Sequence, residues 1–174
     1  MPALHVLSPD AQDLATAARE FCLTTIKATY GFDYTPAWHA DLDSLTGPAA
    51  ANHYAPANRG RFWVLQDEAG TVVGTAGVRC LAYKPNFIQL LQGHYPDFTT
   101  IASLWRTYLA PAYRGQGIGQ QLNDAALAFA RTQGYQRMFL ECNHAYPKLQ
   151  AYWQRLGYQH FTSGPDFCCF DRAL

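Results

Sequence analysis

At 174 residues and 49% hydrophobic content, the chain can build one well-packed domain and is too short for two comfortable ones. Its 13 Lys plus Arg cancel 13 Asp plus Glu, which removes the electrostatic footprint of a nucleic-acid binder. The cysteines number five, an odd count without Cys-x-x-Cys spacing, so no metal site is expected and they read as reduced thiols of a cytoplasmic protein. Met1–His5 has no basic segment leading into an apolar core, so no export signal is read. No apolar run reaches the roughly 18 residues of a membrane span, so no membrane partner is expected.

In chain order, Leu4–Leu7 is expected as a first strand. Ser8-Pro9-Asp10 then signals a helix start, with Pro9 suited to the first helical position. Leu14, Ala17, Ala18, Phe21, Cys22, Thr25 and Ile26 recur at three- and four-residue spacing and predict one buried helix face, ending near Tyr30-Gly31. Phe32–Pro36 reads as a loop and Trp38–Leu45 as a short second helix, broken by Gly47-Pro48. Phe62–Gln66 and Thr71–Gly74 flank Asp67-Glu68-Ala69-Gly70 and predict a β-hairpin whose second strand runs on to about Leu81. Residues 83–99 form a long connection with a helical turn over Phe87–Leu91; connections this long tend to be functional.

Ile101–Leu109 is the next predicted strand. Ile118, Leu122, Ala125, Ala126 and Phe129 supply the apolar face of the helix that follows, and Gly134 ends it. Met138–Cys142 reads as a strand parallel to Ile101–Leu109, as a βαβ unit requires. Pro147–Leu156 is the last helix, capped by Gly157, and Tyr158–Phe161 with Phe167–Phe170 can close the fold as a strand pair. A hairpin ahead of a βαβ unit predicts an α/β fold: one domain over residues 1–174, with a mixed, mostly antiparallel sheet flanked by helices.

The chemistry concentrates in Arg114-Gly115-Gln116-Gly117-Ile118-Gly119, between the strand ending at Leu109 and the helix over Gln120–Arg131. A glycine-rich turn feeding a helix leaves backbone N–H groups without intrahelical partners, at the positive end of the helix dipole. Such a turn suits an anion, above all a phosphate. A dinucleotide-binding fingerprint would need Gly or Ala where Gln120 stands, and a P-loop would need Gly-Lys-Ser/Thr, which is absent.

The stretch Tyr108-Leu109-Ala110-Pro111-Ala112-Tyr113-Arg114-Gly115-Gln116-Gly117-Ile118-Gly119 resembles the acetyl-CoA-binding core of the GNAT superfamily of N-acetyltransferases. Phe139-Leu140-Glu141-Cys142-Asn143 is similar to the family's fifth strand, and Ala151-Tyr152-Trp153-Gln154-Arg155-Leu156-Gly157-Tyr158 to its closing helix. The likeness covers roughly residues 60–161. It implies a GNAT-like fold and transfer of an acetyl group from acetyl-CoA, as co-substrate, to the amine of a small molecule or peptide. It also implies that Tyr108 and Leu109 pair with the pantetheine arm through their main chain. Arg114, Gly115, Gln116, Gly117, Ile118 and Gly119 would hold the pyrophosphate. Asn143 would hydrogen-bond the pantetheine, or else shape a turn, and Trp153 would pack beside the cofactor.

Two departures from the family pattern bear on mechanism. Where the family often places a tyrosine as acid for the departing sulfur, this chain has Trp153; an indole N–H donates a hydrogen bond but not a proton at neutral pH. Tyr152, one position earlier, is the substitute candidate. Where many members carry a Glu in the fourth strand, this chain has Ser103. Candidate bases are then His94, Asp97, Glu141 and His144, of which His144, just past a strand's C-terminal end, leads. Tyr30, Phe32, Tyr34, Trp38, Tyr83 and Tyr95 are candidates to line an acceptor pocket. The competing reading is a non-catalytic acyl-CoA-binding sensor or interaction domain. The oligomeric state is left open, a homodimer being one option.

Overall fold

The computed structural model describes residues 1–174. Seven strands form one sheet in the order β1-β2-β3-β4-β5-β7-β6: β1 Ala3–Val6, β2 Arg61–Gln66, β3 Val72–Cys80, β4 Ile101–Leu109, β5 Arg137–Asn143, β6 Gln159–Ser163 and β7 Phe167–Ala173. Every neighbouring pair is antiparallel except β4 and β5. Five helices flank the sheet: α1 Gln12–Tyr30, α2 Pro36–Thr46, α3 Pro85–Leu90, α4 Ile118–Thr132 and α5 Pro147–Arg155. The mixed, mostly antiparallel sheet is the one expected from the sequence.

Some boundaries differ from the sequence reading. Helix α1 begins at Gln12 rather than at Pro9, because the Ala11 N–H closes a turn onto the Ser8 carbonyl at 3.0 Å and holds Pro9 and Asp10 outside the helix. Helix α2 begins two residues before Trp38, with Pro36 at its first position, where the fixed φ of proline suits the helix and no N–H is lost. Helix α4 takes in Ile118 and Gly119. The closing pair is longer than expected, and β7 inserts between β5 and β6.

Alternation along the strands separates two apolar layers. Phe62 and Val64 of β2 pack with Ala15, Ala18, Cys22 and Ile26 of α1, whose small residues let the helix lie close to the sheet. Trp63 faces the other way, with Val78, Leu104, Met138 and Leu140 and the inner face of α4. A third cluster under α3 joins Phe87, Phe139 and Cys169. Adjacent Cys168 and Cys169 therefore enter cores on opposite faces of β7. All five cysteines are free and buried.

Strand β4 carries the main irregularity. Thr75–Gly77 of β3 lies opposite Trp105–Tyr108 of β4, so β4 holds one extra residue. Arg106 takes it up at φ 46°, a left-handed conformation unusual outside glycine. The bulge shifts the alternation by one, so Tyr108 joins Trp105 against the α1 layer, where regular pleating would have put Thr107. The Thr75 hydroxyl donates to the Arg106 carbonyl at 2.8 Å. The Arg106 guanidinium grips Asp41 of α2 with two bonds of 2.6 and 2.9 Å, and donates to the Trp38 carbonyl at 2.7 Å. The Tyr54 hydroxyl completes the carboxylate's shell at 2.6 Å.

Burial by itself would raise the Asp41 carboxyl pKa; the bonds and charge of Arg106 outweigh it and hold the group below its ordinary value. Replacing Asp41 by Ala leaves Arg106 buried and uncompensated, and urea denaturation at pH 7 should show a loss of about 3–5 kcal/mol. With a depressed folded pKa, Asp41's contribution is complete above the ordinary carboxyl value of 3.8 and fades as pH falls through the folded one. The deficit of the variant should shrink over that acid range; a constant deficit would contradict the assignment.

Candidate functional site

The Gly115–Gly119 turn is an open cradle. Gly115 and Gly117 adopt φ 75° and 78°, and a Cβ built on either would meet nothing within 4 Å. The N–H groups of Gly115, Gln116 and Gly117 make no hydrogen bond within the protein. Those of Ile118 and Gly119 open α4, with no carbonyl four residues back in the helix. Five successive donors therefore remain for a ligand. Gly119 differs: a Cβ there would lie 2.7 Å from the Tyr152 hydroxyl, which would have to move aside. Arg114 donates to the Leu109 carbonyl at 3.0 Å and stays exposed beside the turn.

Beside the cradle the sheet opens. The parallel ladder of β4 and β5 covers only Ile101–Ser103 against Arg137–Phe139. Beyond it, the β5-facing main-chain groups of Leu104–Leu109 have no strand partner. A cleft of about 810 Å³ passes through the opening. Its floor includes Leu104, Leu140, Cys142 and Trp153 from the α4–α5 side, and its walls include Tyr30, Trp38 and Trp105 from the α1–α2 side. Both layers of the protein thus meet in one cavity. Phe32, Trp38 and Tyr83 stand exposed at its mouth.

The charged groups in the cleft are paired unevenly. Arg106 has Asp41. Lys84, drawn in over the faces of Phe87 and Trp105 at 4.2 and 4.3 Å, reaches Glu141 at 2.8 Å. Burial lowers the Lys84 pKa; Glu141 opposes that shift, while Arg79 and Arg106 add to it. Arg79 stacks on Trp105 at 3.9 Å and donates to His53 Nδ1 at 2.7 Å and to the Tyr83 carbonyl at 2.9 Å. Its Nε has no partner, nor has the Trp105 Nε1. A guanidinium can only donate, so His53 Nδ1 accepts and the ring proton sits on Nε2. His39 is fixed likewise, its Nδ1 accepting from the Thr35 N–H at 2.9 Å. Burial lowers the pKa of both imidazoles, with the nearby arginines adding to the effect. Cys142 is the one thiol lining the cleft, and burial pushes it up to about 12.

The structure brings together Tyr108, Asn143, Trp153 and Glu141 in the cleft; the glycine turn follows the end of β4, and none of its residues lines the cleft. Asn143 does shape a turn, its Oδ1 accepting from the Ala145 N–H at 2.8 Å. Trp153 is buried on the floor, edge-on to Tyr152 and Tyr158. Tyr152 does not line the cleft; its hydroxyl is buried over Gly119 without a partner, and burial raises its pKa. His144 is exposed and also outside the cleft. Asp97 caps a 3-10 turn through Thr99. His94 and Tyr95 belong to a separate cleft of about 380 Å³, with His94 stacked on Phe161 at 3.9 Å. Of the candidate acceptor aromatics, Tyr30, Phe32, Trp38 and Tyr83 line the main cleft, whereas Tyr34 bonds Asp43.

Sequence reasoning did not single out Asp41, His39, His53, Arg79, Lys84 or Arg106. A charge inside an apolar strand was the available signal: Arg79 lies between Val78 and Cys80, and Arg106 interrupts the run from Ile101 to Leu109.

A family model described as "Acetyltransferase (GNAT) family" matches residues 23–158. The uncharacterized N-acetyltransferase YjgM of Escherichia coli K12 is 31% identical over 99 residues, 57% of this chain and 51% of that protein. N-acetyltransferase 8 of Mus musculus is 31% identical over 102 residues, 59% of this chain and 37% of that protein. The match thus spans about half of the first relative and less of the second. An acetyltransferase of GNAT family from Staphylococcus aureus Mu50 has a TM-score of 0.73 at 17% identity, covering 99% of both chains. The GNAT domain of S. lividans PAT has a TM-score of 0.71 at 15% identity, covering 99% of this chain and 90% of that one. At such identities the likeness concerns the fold alone.

Because burial lowers the Lys84 pKa, its charge opposes folding at neutral pH and ceases to do so as pH rises toward the ordinary value of 10.5. Lys84→Met keeps the stem's packing and leaves Glu141, which has access to water, as the unpaired partner. The melting temperature at pH 7 should equal or exceed that of the parent, with the difference narrowing toward pH 10. A drop of several degrees would show instead that the ion pair is net stabilising.

Proposed function

The chain belongs to the GNAT acetyltransferase family, and from that premise we propose that it moves an acetyl group from acetyl-CoA directly onto an amine. The observation that carries this reading is the row of unpartnered N–H groups at Gly115–Gly119, on the crossover that leaves β4 where its pairing with β5 has already ended. A diphosphate fits donors of that kind at a helix start. Arg114 can add a charged contact at its edge. The edge of β4 at Tyr108 and Leu109, which pairs with no strand on the β5 side and whose Leu109 carbonyl is met only by Arg114, can receive the amide-bearing pantetheine arm as a short added strand. The amide nitrogen of Asn143, at the end of β5, can donate to the same arm, and Trp153 can pack against it.

When bound, acetyl-CoA supplies an activated thioester carbonyl. The residues of the chain must then orient an amine and accept its proton. An alkylamine with a pKa of about 10.4 is protonated at neutral pH and cannot attack until that proton leaves. His39 and His53 offer no free lone pair, since each Nδ1 already accepts a hydrogen bond. Asp41 is enclosed by Arg106 and Tyr54. Glu141 lines the cleft with access to water and is assigned as the base. A thiol of pKa about 8.5 on the cysteine scale can leave as thiolate without a strong acid, which fits a Tyr152 hydroxyl turned toward Gly119. Direct transfer is favoured over an acyl-enzyme because Cys142, with its pKa raised by burial, is a poor nucleophile.

Two measurements test this reading. Acetyl-CoA should raise the melting temperature of the parent, and Gly117→Glu, which sets a carboxylate among the phosphate donors, should abolish the shift. Gly117→Asn, which tolerates a positive φ and carries no charge, controls for strain and should retain part of it. An undiminished shift in the folded Glu variant would refute the cradle. Glu141→Gln should keep the acetyl-CoA shift while release of free thiol with an accepted amine slows by about 10²-fold or more. Binding without turnover on any amine would favour the acyl-CoA sensor.

A further inference from the structure

Arg79 is 5% exposed, lines the cleft and has no carboxylate within ion-pair distance. The other two cations there have one each: Arg106 has Asp41 and Lys84 has Glu141. Asp166 lies at the exposed rim and pairs with none of them. The buried part of the cleft therefore holds one positive charge in excess. A buried charge without a counter-ion is costly, and the Trp105 face supplies only part of the compensation. Arg79 Nε is itself an unpartnered buried donor.

The hydrogen bonds also orient further donors. Arg79 donates to His53 Nδ1, so His53 turns its Nε2–H away from the arginine with no protein group to accept it. His39 carries its proton on Nε2 by the same logic and lines the same cleft. Two imidazole N–H donors and an unpaired guanidinium make a set that accepts an anion and offers no base. Exposed Phe32, Trp38 and Tyr83 at the mouth provide apolar faces beside it.

We propose that the acceptor amine also bears a carboxylate, held by His53 and the Arg79 behind it, with its apolar side chain resting on the aromatic mouth. The substrate class is then an apolar amino acid or a molecule with the same pair of groups. This inference rests on the acetyl-transfer reading and narrows it to one kind of acceptor.

Matched pairs test it: phenylalanine against phenethylamine, leucine against isoamylamine, and tryptophan against tryptamine. Each is measured by thiol release with acetyl-CoA and by calorimetric titration with and without CoA. In the parent, the carboxylate member should bind or react with a KM lower by about tenfold or more, the scale of one charge-assisted contact. Arg79→Met should bring the pair within about threefold. His53→Phe, which fills the same space without the N–H, should do likewise and serves where the Arg79 variant does not fold. Equal or better use of the decarboxylated amines by the parent, undiminished discrimination in both variants, or no binding of either member of any pair would overturn the proposal. Failure of the underlying reading shows separately, as loss of the acetyl-CoA thermal shift without acceptor. The titration lacking CoA still decides the carboxylate question in that case.

Discussion

Strands β4 and β5 run side by side for Ile101–Ser103 and then part. A sheet opened in this way cannot satisfy its own main chain along the gap. It also brings the two apolar layers, separate everywhere else, into one cavity. The glycine turn lies where it does because the crossover from β4 to β5 must pass through α4, and a right-handed βαβ unit sets the start of that helix beside the end of β4. The donors of Gly115–Gly119 and the edge of Tyr108 and Leu109 that no β5 residue pairs are thus consequences of one topological feature.

The bulge at Arg106 lies in the part of β4 that runs along that gap. An arginine at positive φ is strained, and the strain is tolerated because its neighbours determine it several times over. Thr75 fixes its carbonyl, Asp41 its guanidinium, and Tyr54 the carboxylate. One residue therefore joins the centre of the sheet to α2, the helix that forms a wall of the cleft. The same ion pair leaves Arg79 as the cation without a carboxylate, so architecture and the electrical character of the cleft are linked through Asp41.

The fold was legible in the sequence to a large extent. Apolar spacing identified α1 and α4, the Asp67–Gly70 turn identified the β2–β3 hairpin, and the glycine turn identified the crossover. The failures lay where local signals compete. Pro9 carries a good helix-start signal, yet the 8–11 turn captures the Ser8 carbonyl first. The insertion of β7 between β5 and β6 left no local trace, because strand order is set by packing of distant segments. The charged groups of the cleft were legible only as residue types. Arg79, Lys84 and Arg106 are scattered over separate segments, and nothing along the chain says that they converge while two carboxylates arrive to meet them.

The amino-acid sequence by itself determined the class of fold and the glycine-rich turn ahead of α4, because periodicity and glycine conformational freedom act over a few residues. Its resemblance to the family implied that Trp153 stands where members often carry a tyrosine. Only the tertiary structure decided that Tyr152 faces Gly119, that His144 stands outside the cleft, and that His39 and His53 are held as donors. Side-chain direction and proton placement follow from partners tens of residues away, and a carboxylate's or imidazole's role is set by what the folded chain puts next to it.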